Sequence, residues 1–272
     1  MAGIGFVLRR LVRRDDLSGL ARGFTYAALI SCGPWLLTVI SLGLVNVLTD
    51  SLVDREVAAV FRTVVIYNFS ASLVLTGPIV IVATRFLADA IYAKNVDKVP
   101  GLLLTGLAMV YGLSGVVALL FYGLAVDLPP LTRVLAGLNL IVISGIWYAT
   151  TFLTALKDYK VFSIAFAVGM VIATIGTVGL AGLGGADGML FGFSLGLIVI
   201  AFAIKAKVLA EYPYKVTSPL AVLPFFGRYW ELALCGLAYN AAIWIDKWVM
   251  WFAPGRKVVG GVMVTYPAYD GA

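Results

Sequence analysis

Seven long apolar runs dominate this chain, at Phe24–Leu48, Phe61–Leu87, Gly101–Val126, Leu131–Leu156, Val161–Ala181, Gly188–Ala206 and Trp230–Phe252. About 20 apolar residues suffice to cross ~30 Å of hydrocarbon as a helix. The chain therefore reads as an all-α, polytopic membrane protein with seven transmembrane helices. Composition agrees. Of 272 residues, 62% are apolar and 12% charged, where a soluble domain carries about 25% charged residues. Mean hydropathy is +1.01. The first run has 25 residues and is followed by further spans, whereas a cleaved signal peptide has an apolar core of ~7–15. It reads as a retained helix.

Several chemistries are excluded at once. The chain contains no histidine, which removes the usual neutral-pH acid/base group and the commonest metal ligand. Cys32 and Cys235 stand alone in apolar segments, so the sequence offers neither a disulfide framework nor a zinc site. No catalytic residue, metal or cofactor is predicted, and the chain does not read as an enzyme. Net charge is +6, yet the cations sort by membrane side, so membrane lipids and not nucleic acid are the expected contact.

That sorting gives an orientation. Alternate connections collect Arg9, Arg10, Arg13, Arg14 and Arg22, then Arg85, Lys94 and Lys98, then Lys157 and Lys160, then Lys205, Lys207, Lys215 and Arg228. The opposite connections hold Arg55, Arg62, Arg133, Arg256 and Lys257. The positive-inside rule then places the N-terminus in the cytoplasm. Four parts are expected: a basic interfacial segment at 1–23, a six-helix lobe at 24–206, a Pro-rich cytoplasmic linker at 207–229, and a seventh helix opening a second lobe at 230–272. In the linker, Pro213, Pro219 and Pro224 resist helix. The stop after Tyr269-Asp270-Gly271-Ala272 without an anchoring helix is expected to reflect a fragment of a longer reading frame.

Candidate functional residues come from polar groups and breaks inside the spans. Gly33-Pro34 and Gly77-Pro78 interrupt the first two spans. Proline removes a backbone donor and kinks a helix, a device that can line a polar cavity or be a static bend. Ser31, Thr38 and Ser41 share one helix face, and Asn68, Ser72 and Thr76 another. The fourth span adds Asn139, Ser144, Thr150, Thr151 and Thr154 around Trp147 and Tyr148. Such groups serve either as interhelical glue or as a wet, uncharged path suited to a sugar. Asn68, Thr76, Arg85 and Asp246 are the candidate substrate-path residues.

Charges within spans are costly and usually paired or functional. Asp246 and Lys247 lie ~23 Å along the seventh helix from Trp230, among Trp244, Trp248 and Trp251. Neighbours in sequence do not face each other on a helix, so a mutual ion pair is not expected. Arg85 and Asp89, four apart, can pair. Gly188, Gly192 and Gly196 form a small-residue stripe for close helix packing. A retinal-protein reading of seven helices with a terminal lysine fails, because the N-terminus is inside and the third span has no carboxylate.

Motifs in order complete the reading: Met1-Ala2-Gly3-Ile4-Gly5-Phe6, Ser31-Cys32-Gly33-Pro34-Trp35, Tyr67-Asn68-Phe69, Leu75-Thr76-Gly77-Pro78, Thr84-Arg85-Phe86-Leu87-Ala88-Asp89, Lys157-Asp158-Tyr159-Lys160, Asp246-Lys247-Trp248 and Tyr266-Pro267-Ala268-Tyr269-Asp270. From residue 1 to 272 the chain resembles the PelG family of Pel exopolysaccharide transporters of Gram-negative inner membranes. The resemblance implies the multidrug/oligosaccharidyl-lipid/polysaccharide (MOP) exporter superfamily, with a MATE-like arrangement of about twelve helices in two six-helix lobes. It implies a biofilm polymer based on N-acetylgalactosamine as cargo. It also implies partners: a cytosolic glycosyltransferase, a cyclic-di-GMP-binding membrane component and a tetratricopeptide-repeat membrane protein. One lobe cannot form a two-lobe cavity, so this length of chain alone is not expected to transport. The rival readings are a lipid-linked oligosaccharide or drug antiporter of the same superfamily, and a non-transporting scaffold for the glycosyltransferase.

Overall fold

The computed structural model describes residues 17–156, 159–213, 216 and 219–270. Most of the basic segment 1–23 lies outside them, as do the side chains of Ser31, Cys32, Lys157 and Lys215. The architecture is helical: α1 (Leu17–Thr49), α2 (Arg55–Tyr92), α3 (Val99–Ala118), α4 (Pro130–Leu156), α5 (Tyr159–Glu211), α6 (Leu223–Arg228), α7 (Trp230–Met250) and α8 (Pro267–Asp270). A π-helical stretch, Leu119–Ala125, prolongs α3, and a 3-10 turn, Pro219–Val222, precedes α6.

Among the described residues, four helices are long and apolar enough to cross a membrane: Arg55–Tyr92, Val99–Ala125, Pro130–Ala155 and Val161–Glu211. The last is folded in two. Gly185 has φ 53° and ψ −132°, a backbone conformation foreign to L side chains, and it breaks α5 into arms of residues 159–184 and 186–211. Helix also covers the first and seventh apolar runs. In α7, Glu231, Asn240, Asp246 and Lys247 dilute the apolar character.

Both prolines sit inside continuous helices, Pro34 in α1 and Pro78 in α2. The predicted interruptions are thus local losses of one backbone bond within unbroken elements. The linker also differs from expectation. Helix α5 runs to Glu211, and Pro219 and Pro224 begin helical turns instead of preventing them. The first turn of a helix has no intrahelical use for the N–H that proline lacks. A two-stranded antiparallel sheet, β1 (Lys257–Val259) with β2 (Met263–Thr265), follows α7, in register Val258 with Val264. It closes through Gly260 and Gly261, both at positive φ. The Gly-Gly pair between apolar, β-branched residues was its sequence signal.

Helix α2 is the spine of the bundle, with α4 and α7 packed on two of its sides. The arms of α5 flank α4, α3 covers α4, and α1 lies on the first arm of α5. Buried apolar residues fill the centre, including Val64, Ala83, Ala136, Tyr148, Phe152, Leu190 and Phe193. Phe61 meets Phe193 edge-on at 5.7 Å. The bundle has two ends. One carries the β-hairpin and the start of α2; the other carries Arg85, α6 and the end of α5.

Candidate functional site

The polar groups of α2 face two different neighbours. Toward α4, the Asn68 amide nitrogen donates to the Ala136 carbonyl at 3.0 Å and to Asn139 Oδ1 at 3.1 Å. Its oxygen accepts from the Tyr122 hydroxyl at 2.7 Å. Asn139 Nδ2 in turn donates to Ser194 Oγ at 3.2 Å. All four side chains are buried, so one network ties α2, the π-helical turn, α4 and the second arm of α5. The π turn places consecutive residues against consecutive residues: Tyr122 bonds Asn68, and Phe121 stacks on Tyr67 at 5.9 Å.

Toward α7, α2 presents a seam. A Cβ on Gly77 would lie 2.5 Å from Asn240 Nδ2 and 2.7 Å from the Gly236 carbonyl. One on Gly236 would lie 2.5 Å from the Gly77 carbonyl. The two helices therefore cross backbone to backbone, which only paired glycines allow. Farther along, Trp248 Nε1 donates to Ser70 Oγ at 3.1 Å, and Trp251 stacks on Tyr67 with centroids 4.5 Å apart. An open groove of about 290 Å³ runs here, lined by Tyr67, Ser70, Leu75, Val117, Trp248 and Trp251.

The hairpin end is knotted around Asp270. Its Oδ2 accepts from Thr265 Oγ1 at 2.8 Å, the Tyr266 N–H at 2.8 Å and Trp251 Nε1 at 3.1 Å. Lys247 Nζ stands 3.6 Å from Oδ1 and 4.7 Å above the Tyr269 ring. The Tyr269 hydroxyl donates to Asp246, and that bond holds it above the ordinary phenol range. Tyr67 completes the latch, donating to the Val264 carbonyl at 3.0 Å and accepting from its N–H at 2.7 Å.

The four candidate path residues do not converge. Asn68 is buried in its network, and Thr76 Oγ1 donates to the Ser72 carbonyl at 2.7 Å inside α2. Arg85, at the opposite end of the bundle from the hairpin, pairs with Asp89 at 3.0 Å and is exposed. Asp246 belongs to the hairpin end. Gly33 and Pro34 are buried in α1, and Pro78 follows the glycine crossing. Gly188, Gly192 and Gly196 press against Leu180, Gly176 and Gly169 of the facing arm, leaving no room for a Cβ. Of the other polar residues, Ser41 bonds Thr174, Trp147 Nε1 bonds Ser72 at 3.1 Å, and Tyr148 bonds the Leu102 carbonyl at 2.7 Å. Sequence reasoning missed Tyr122, Gly236 and the roles of Tyr67 and Asp270. The last two stand in the quoted motifs, but nothing in their spacing shows that they meet.

Length, apolarity and bundle geometry define a multi-pass α-helical membrane protein. Residues 1–272 match the profile of the family described as "PelG: Putative exopolysaccharide Exporter (EPS-E)", and the chain belongs to that family. No curated protein and no solved structure matches it.

Proposed function

We propose that this chain forms the first lobe and the opening helix of the second lobe of a two-lobe, MATE-like exporter. It passes a Pel-type amino-sugar polymer from cytoplasm to periplasm across a bacterial inner membrane. The N-terminus and the Arg85 end face the cytoplasm, and the hairpin faces the periplasm. The observation that carries the reading is the α2–α7 groove. Trp248 and Trp251 offer aromatic faces for the CH faces of sugar rings, and Ser70 and Tyr67 hold them in place. Family membership supplies the exopolysaccharide. Support for a second lobe comes from α7, whose Leu234, Leu237, Ile243, Ile245 and Val249 are exposed beside the groove.

Within this reading Asn68 and Thr76 fix the shape of α2, Asp246 steadies the hairpin, and Arg85 lies at the cytoplasmic mouth. Exposed Lys94, Lys98 and Arg228 at that mouth give a cytosolic glycosyltransferase and a cyclic-di-GMP-binding membrane component a basic face to dock on. The test is export of surface polysaccharide by cells carrying Trp248→Ala or Trp251→Ala in the full-length protein. Export falls at least fivefold at equal protein level. Normal export by both variants would overturn the groove assignment.

A further inference from the structure

Lys205 is a cation inside the last of the four spans, and the partner it has is not a carboxylate. Its ammonium donates to the Tyr111 hydroxyl at 3.0 Å and lies 5.6 Å from the centre of that ring. Among the described residues it makes no ion pair. The contact joins α3 to α5 across α4. A Cβ on Gly145 would lie 2.5 Å from the Tyr111 hydroxyl, so a glycine on α4 is what lets the ring through. Charges within a span are costly and usually paired or functional, and this one lacks a counter-charge among the described residues.

The pair is a cluster of donors. An ammonium carries three N–H groups and no acceptor, and a phenol that accepts from it still has its own O–H to give. One N–H makes the Lys205–Tyr111 bond, and the other donors meet no acceptor among the described residues. The complement is an acceptor-only group with negative charge. The surroundings choose what carries it. Ile198, Phe202 and Leu209 are all exposed, and helical period sets them on one stripe of α5 with Lys205. The helix that opens the second lobe in the export reading, α7, packs on α2. An apolar stripe crowned by one cation is matched by acyl chains under an anionic headgroup. Lys205 stands about 9 Å before the end of α5 at Glu211, and a long lysine side chain at such a depth reaches the headgroup layer.

We propose that Lys205 and Tyr111 bind the phosphate of an anionic phospholipid whose acyl chains run along Phe202 and Ile198. Lys205 supplies the charge. Tyr111 holds the ammonium in place and adds its O–H to the phosphate. The site concerns the lipid around the bundle and not the exported polymer, so it stands or falls apart from the groove.

The test is native mass spectrometry of the full-length protein in detergent with equal amounts of phosphatidylglycerol and phosphatidylcholine bearing the same acyl chains. The lipid retained most tightly is phosphatidylglycerol, favoured about fivefold. Lys205→Met lowers that preference severalfold, and Lys205→Arg keeps it. Tyr111→Phe, which leaves the ring over Gly145 and removes the hydroxyl, lowers it by a smaller factor. Lys207→Met removes an equal charge two residues away, from a pair with Glu211, and leaves the preference unchanged. Melting temperatures in phosphatidylcholine alone stay near the wild-type value for every variant. No preference in the wild type, the result if a carboxylate of another protein segment covers Lys205, would overturn the site. An unchanged preference in Lys205→Met would do the same. Equal losses in Lys205→Met and Lys207→Met would report net charge alone and would also overturn it.

Discussion

At the scale of single residues, the buried amides of this lobe act as fasteners. Asn68 uses both ends of its side chain, and removing it leaves the Tyr122 hydroxyl and Asn139 Oδ1 buried without partners. Each stranded group costs about 1–3 kcal/mol. Asn68→Ala is therefore expected to destabilise the protein by about 2–4 kcal/mol, seen as a lower melting temperature in detergent and a smaller folded yield. Export per folded molecule changes less than yield. Arg85 makes the opposite case. Its pair with Asp89 is about half exposed, 54% and 45% for the two side chains, and such pairs contribute at most about 1 kcal/mol. Arg85→Ala should leave the melting temperature unchanged. A drop in export at equal protein level would then report a role at the mouth and not in the fold.

At the scale of elements, the informative contacts are between backbones. Gly77 and Gly236 let α2 and α7 touch backbone to backbone, and a Cβ at Gly236 would meet the Gly77 carbonyl oxygen, which cannot rotate away. Gly236→Val is expected to push α7 off α2 and to separate Trp248 from Ser70. Bismaleimide cross-linking between cysteines placed at Ser70 and Trp248, with Cys32 and Cys235 changed to serine, reads that separation. Cross-linking is efficient with Gly236 and falls severalfold with valine. Undiminished cross-linking would show that the crossing has slack. The arms of α5 obey the same rule at Gly176 and Gly192. The π-helical end of α3 is an element-scale device as well, since its wider turn aims Phe121 and Tyr122 at Tyr67 and Asn68 together.

At the scale of the whole molecule, the hairpin end behaves as a latch joining α2, α7 and the final turn. Tyr67 contributes two hydrogen bonds to Val264 through one oxygen. Tyr67→Phe keeps the stack on Trp251 and removes both bonds, for an expected loss of about 1–3 kcal/mol localised to the hairpin. Hydrogen exchange across residues 257–270 should quicken at least tenfold, while exchange in α4 and α5 stays as in the wild type. A uniform change across the molecule would mean that the latch and the bundle unfold as one unit.

The helical, membrane-spanning class was legible in the sequence. Apolar runs of spanning length leave the backbone little choice but helix in hydrocarbon, and the glycine stripe at 188–196 already announced close packing. The i+4 pair of Arg85 and Asp89 was legible for the same reason, because helical period alone brings them together. Tertiary structure decided what the polar residues do. Asn68, Ser72 and Thr76 recur every four residues whether they line a path or fasten a helix. Asn68 and Ser72 find their partners on the π-helical stretch and α4, 54 to 75 residues away, and no local pattern encodes that separation. Asp270 is the extreme instance. Its partners Lys247 and Trp251 come from α7 and the turn after it, and it lines a cleft with residues of α1 and α2. Only packing of those elements turns a carboxylate in a short tyrosine motif into the floor of a cleft.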